Sequence, residues 1–231
     1  MNYGISMDIN NLLKEFNITA YQKECFNYYI KLRGIIDHYQ IKELLESHKV
    51  IPRYETISST FRYDKRIRRI LFKYITIIEE YFRSHIINNE YQVDRYDSNY
   101  ITTILFSKLV KHNKIKSFLS NKKTFNYHST KNLKALVTLR NKVMHSNLLI
   151  TNKNLEECRI NQKKSSCLID NIINMMFYLP TNEIALSFIR EINMASKKEI
   201  KKHQMQLEWD LPSFLVVSID ESILKSFYNK I

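Results

Sequence analysis

Apolar residues recur three and four positions apart over most of this chain, the spacing that gives a helix one apolar stripe. Asp8 is placed to cap a short helix through Phe16, and residues 20–33 and 37–48 read as two more. Pro52 interrupts the pattern, and the Ser58-Ser59-Thr60 cluster offers caps for a long helix to Asn89. Asp97 and Ser98 introduce a segment to His112, followed by a shorter one to Leu119. Ser129 or Thr130 caps the helix that contains Arg140 to His145. Residues 153–179 read as a further helix that stops ahead of Pro180, and Thr181-Asn182-Glu183 opens another to His203. Leu215 to Ile219 fits a short strand or a helix entry after Pro212. The expected fold is all-α: a helical bundle over residues 51–205, a small N-terminal helical extension over 1–50, and an additional C-terminal segment over 206–231.

Two of these helices stand out on a wheel. In the long one, Ile67, Ile70, Leu71, Tyr74, Ile77, Ile78, Tyr81 and Phe82 form a core face. The opposite face carries Lys65, Arg68, Phe72, Ile75, Thr76, Glu79, Arg83 and Ile86, too apolar for a solvated surface, so it is expected to pack against another helix or a second copy of the chain. Glu79 and Arg83 are four apart and can pair along the helix. In the second helix, Leu133, Leu136, Val137, Leu139, Val143 and Met144 make the apolar stripe, with Arg140 near its middle. A cation there needs an anionic partner, because an unpaired buried charge is costly. Glu79 is the candidate.

Composition narrows the chemistry. With two glycines and three prolines in 231 residues, tight hairpins and glycine-rich phosphate loops are disfavoured. The formal net charge of +13 suits a polyanion, nucleic acid first. Basic residues cluster at Lys65, Arg66, Arg68, Arg69 and Lys73, again from Lys108 to Lys123 near Phe118, Phe125 and Tyr127, and again from Lys197 to Lys202. Cys25, Cys158 and Cys167 are too few and too scattered for a disulfide framework or a zinc site. No secretory leader or membrane-length apolar run is evident, so a cytoplasmic protein without membrane contact, cofactor or metal is expected.

Arg140-Asn141-Lys142-Val143-Met144-His145 concentrates the chemistry: a permanent cation, a fixed amide, and an imidazole that moves protons near neutral pH. These groups suit phosphodiester cleavage without a metal. Taken alone they equally suit a structural polar cluster.

Together the segments resemble a known family. Tyr63-Asp64-Lys65-Arg66-Ile67-Arg68, then Ile78-Glu79 and Arg83, is similar to the long-helix signature of the abortive-infection (AbiD/AbiF-like) phage-resistance proteins. Arg140-Asn141 and His145 resemble the Arg-Asn-x3-His motif that this family shares with HEPN-domain ribonucleases, and Asn27-Tyr28-Tyr29 resembles a family Asn-Tyr-Tyr segment. The resemblance spans roughly residues 25–180. Ser146 stands where many members have a second histidine, and Asn147-Leu148-Leu149 replaces their following stretch.

The resemblance implies a HEPN-type bundle, a homodimer, and metal-independent endoribonuclease activity leaving 2′,3′-cyclic phosphate and 5′-hydroxyl ends. It assigns proton transfer to His145, phosphate binding to Arg140 and orientation to Asn141. Glu79, Arg83 and Asp64 would support them, and Lys65, Arg66, Arg68, Arg69 and Lys142 would contact RNA. The alternatives are a non-catalytic RNA-binding or protein-interaction module of the same fold, or a toxin controlled by an antitoxin protein or a regulatory RNA.

Overall fold

The structure, a computed structural model, describes residues 13–16, 18–88, 103–121, 130–145, 147–152, 154–160, 163–205 and 211–224. The expected caps at Asp8, Asp97, Ser98 and Ser129 lie outside the described residues, as do Lys122, Lys123, Phe125 and Tyr127. The described chain is predominantly helical, with one two-stranded sheet, so the all-α class holds. The helices are α1 (Lys23–Ser47), α2 (Tyr54–Asn88), α3 (Phe106–Leu109), α4 (Asn113–Asn121), α5 (Thr130–Met144), α6 (Leu168–Met176) and α7 (Asn182–Met205). Short 3-10 turns occupy Ala20–Gln22 and Ser213–Leu215. Two compact units emerge: residues 1–65 with 197–216, and residues 66–196 with 217–231. Their limits differ from the segments 1–50, 51–205 and 206–231 read from the sequence, because α2 and α7 each contribute to both units.

In the first unit, the two helices expected at 20–33 and 37–48 form α1 with a kink between them. Gly34 sits at the kink with φ 74° and ψ 166°, a backbone region that is essentially glycine-only. His38 holds the kink closed. Its Nδ1–H donates to the Gly34 carbonyl at 2.8 Å, since a carbonyl can only accept. The imidazole is fully buried, edge-on to Phe61 at 4.7 Å and Phe26 at 5.7 Å and stacked on Tyr54 at 6.4 Å. Nε2 is buried without a hydrogen-bond partner. This burial, with Arg33 nearby, holds the His38 pKa below its ordinary value.

α2 begins at Tyr54, one turn before the expected serine cluster. Ser58 and Thr60 do not cap it. Their hydroxyls donate back to the carbonyls of Glu55 and Thr56, at 3.1 and 2.8 Å, inside the helix.

In the second unit, Ile67, Leu71, Tyr74, Ile78 and Phe82 of α2 are buried, as are Leu133, Leu136, Leu139 and Val143 of α5. Tyr74 meets Phe188 of α7 edge-on at 4.9 Å, and Phe82 meets Tyr178 at 6.3 Å. On the second face of α2, Arg68, Ile75 and Ile86 are also buried within the chain, while Phe72 is exposed.

The single helix expected over 153–179 is a correction. Cys158–Ile160 and Lys163–Ser165 form an antiparallel hairpin, β1 and β2, in which Cys158 opposes Ser165, and α6 starts only at Leu168. The cause is a buried asparagine on α5. Asn132 donates through Nδ2 to the Arg159 carbonyl at 2.9 Å and accepts from the Arg159 amide at 2.8 Å, taking both main-chain groups that a helix would use. Asn152 and Asn154 turn the chain with φ 56° and 61°, conformations asparagine tolerates better than most residues. The 215–219 stretch is neither strand nor helix beyond the 3-10 turn. Asn193 clasps its Ile219 in the same two-bonded way, at 2.8 and 3.0 Å.

Replacing Gly34 by alanine meets no steric neighbour, so only the backbone is strained. Gly34→Ala should destabilise the protein by about 1–3 kcal/mol in urea unfolding. An unchanged midpoint would place the kink elsewhere. The depressed His38 pKa has a second consequence. The unfolded chain takes up this proton at about pH 6.5, whereas the native imidazole resists it to lower pH. The His38 contribution is therefore complete above about pH 6.5 and is lost as pH falls from there through the native value. Unfolding midpoints should drop between about pH 7.5 and 5.5. The drop should be smaller in His38→Asn.

Candidate functional site

The amphipathic character of α5 places its leucines inward and carries Arg140 to the edge of the core. The Arg140 side chain is 25% exposed. Its Nη2 lies 3.5 Å from Glu79 Oε2, so the expected carboxylate on α2 is the one it meets. Glu79 serves two arginines at once. Its Oε1 accepts from Arg83 Nη2 at 2.7 Å, and the same Arg83 nitrogen donates to the Ile104 carbonyl at 2.7 Å. One carboxylate thus joins α2, the segment before α3, and α5.

Phe106 completes the mounting. Its ring centroid is 5.9 Å from the Arg140 guanidinium carbon, within cation–π range. Phe106 escaped the sequence reading because Ile104-Leu105-Phe106 looks like ordinary apolar filling. Nothing in its spacing marks it as the ring that faces Arg140.

Arg140 Nη1 also approaches Asn141 Oδ1 at 3.4 Å, a long contact. Asn141 and His145 are both exposed. The His145 amide donates to the Asn141 carbonyl at 2.9 Å, and the Asn147 amide reaches the Lys142 carbonyl at 3.0 Å, which closes the last turn. His145 follows directly on the last helical residue, Met144. Its imidazole makes no hydrogen bond among the described residues. Arg140 is therefore fixed from behind, while Asn141 and His145 face solvent on an adjacent part of the helix end.

The other named residues separate. Asp64 is 1% exposed and pairs with Arg33 at 3.3 Å inside the first unit, so its partner is an α1 arginine. Arg68 and Lys142 are corrections. At 8% and 9% exposure they are engaged within the protein, because each lies on the inward side of its helix. Arg66 is half-buried and donates to the Ala195 carbonyl at 3.1 Å. Lys65 and Arg69 are exposed cations of the kind a phosphate backbone can reach.

The arrangement offers an oxyanion a guanidinium held in place by a carboxylate, an exposed amide, and an exposed imidazole for proton transfer. Among the described residues, no group of three or more His, Cys, Asp or Glu side chains could hold a metal ion, and no helix is long and apolar enough to cross a membrane.

If Glu79 carries Arg140, their substitutions must couple. In a double-mutant cycle of Glu79→Ala and Arg140→Ala, urea unfolding should show non-additivity of about 1 kcal/mol. Strict additivity would show that the contact contributes nothing in solution.

Compared with protein-family models, with curated proteins and with solved structures, the chain matches none, so its function is argued from the chemistry of this site.

Proposed function

We propose that this chain is a HEPN-type, Abi-like endoribonuclease that acts in phage defence by abortive infection, as a cytoplasmic homodimer. The observation that carries this reading is the Glu79-mounted Arg140 on the same helix end as the exposed Asn141 and His145. A guanidinium fixed by a carboxylate and a neighbouring ring binds a phosphate with little loss of side-chain freedom. His145 would take the proton from the attacking 2′-hydroxyl or return one to the leaving 5′-oxygen. Arg140 would hold the scissile phosphate and stabilise the charge that develops on it. Asn141 would orient the phosphate or the imidazole, and a second protomer would face the first with its own copy of these residues. The products would be a 2′,3′-cyclic phosphate and a 5′-hydroxyl. The net charge of +13, with exposed Lys65 and Arg69, supports contact with the RNA backbone.

One observation favours a second reading, a module that grips RNA without cutting it. The His145 imidazole has no hydrogen-bond partner among the described residues to set its tautomer, and a positioned general base usually has one.

Purified protein incubated with cellular RNA in EDTA should cleave it. His145→Ala and Arg140→Ala should each lower the rate by about a hundredfold or more, and cyclic phosphate ends should accumulate. Equal cleavage by wild type and both variants would remove this site from the reaction. RNA binding with no cleavage by wild type would favour the second reading.

A further inference from the structure

The N-terminal half of α5 borders a groove of about 1070 Å³ shared with α3 and α4. Its floor is apolar, with Val110, Leu133 and Val137, and its rim carries Lys111, Lys116 and Lys134. Leu119 and hydroxyl side chains, Thr130 among them, also line it, and among the described residues no carboxylate does. Lys111 and Lys116 are exposed and form no ion pair among the described residues. Lys134 bonds to Glu156 at 2.9 Å, with both side chains open to solvent. The first turn of α5 has no acidic residue, although helices favour acids there to offset the partial positive charge of their free amides. An apolar floor under a rim of three lysines, two of them without an ion pair among the described residues, fits a ligand with flat apolar faces and regularly spaced negative charge.

The direction of the groove identifies its source. At about 100° per residue, the groove-lining residues Thr130, Leu133, Lys134 and Val137 spread over roughly 100° of the α5 surface, and Asn141 falls within that arc. Arg140 points roughly 140° away from His145, toward Glu79. The face that lines the groove therefore continues into Asn141, with His145 and Arg140 each about 20° beyond its two edges. Val137 and His145 are separated by only about 12 Å along the axis. The volume lies at the upper end of what one small ligand fills.

We infer that this groove seats a short single-stranded tract of the RNA itself and delivers the strand along α5 to His145. Bases lie on Val110, Leu133 and Val137, and phosphates meet Lys111, Lys116 and the first turn of α5. The inference rests on RNA cleavage at Arg140 and His145, and goes further by assigning this groove to the substrate strand and fixing the strand's path.

The test is binding of a fluorescent single-stranded RNA to the full chain across a salt series. In Lys111→Ala/Lys116→Ala, affinity should fall, and the slope of log K against log salt should shrink by about 1.4, the loss of two single-strand phosphate contacts. Lys163→Ala/Lys164→Ala, which removes two exposed lysines from the hairpin, should leave the slope near that of wild type. Photocrosslinks from 4-thiouridine in the RNA should fall between residues 107 and 137 and persist in His145→Ala. Equal slopes in the two double variants would overturn the inference, and so would crosslinks confined elsewhere. A mononucleotide competing as well as the oligonucleotide would also overturn it, since the groove would then be a small-effector site. Cleavage and these binding measurements separate the two readings. Full cleavage by the groove variant at unchanged slope removes the groove and leaves the active site. A slope loss without any cleavage by wild type removes the active site and leaves the groove as a binding surface.

Discussion

The Glu79 carboxylate is the point on which the second unit's chemistry depends. Two guanidiniums, from Arg83 and Arg140, approach it from different elements, and Arg83 also engages the carbonyl of Ile104. Without the carboxylate, two permanent cations would face each other in a partly desolvated setting, where their repulsion is poorly screened. With it, each gains a charge-assisted contact, and three separate stretches of chain are brought into register around Phe106. Arg140 can sit at the edge of a leucine stripe only because this anion awaits it. Asn141 and His145 then extend beyond a helix end that is already held in place.

Buried polar side chains perform the equivalent task elsewhere. Asn132, Asn171 and Asn174 are fully buried, and each spends its amide on main-chain carbonyls rather than on other side chains. Asn193 does the same for the extended segment at Ile219. His38 does it for the break in α1. Asn132, Asn193 and His38 satisfy backbone atoms where the regular helical ladder stops, which is where an all-helical protein is otherwise short of hydrogen bonds. Glycine is used for irregular geometry at Gly34, while the other positive-φ positions among the described residues fall on Lys49, Asn152 and Asn154.

Helices with one strong stripe were legible in the sequence. The core positions Ile67, Leu71, Tyr74, Ile78 and Phe82 follow from 3.6-residue periodicity alone, and so does the break in α1 between residues 33 and 37. Glu79 was legible as the partner of Arg140 because a charge on an apolar stripe requires one. The hairpin at 158–165 was not, because its conformation is imposed by Asn132, far away in sequence, and local pattern carries no trace of that contact. The burial of Arg68 and Lys142 was hidden for a related reason. A cation is assigned to the surface by type, and only tertiary packing shows which ones are enclosed. Ser58 and Thr60 show a third limit, since cap-forming residues also bond backward within a helix.

The asparagine clasp on Arg159 has a consequence for how this protein can vary. In these two bonds Asn132 reads the amide and carbonyl of the strand, groups that every residue except proline carries. Position 159 can therefore drift through many residue types while its geometry stays fixed. Position 132 can hardly change, because no other side chain of that size presents a donor and an acceptor side by side. Relatives of this chain would preserve the hairpin while losing recognisable letters along it. The durable mark of the hairpin would be a solitary asparagine two residues into a helix that lies well upstream.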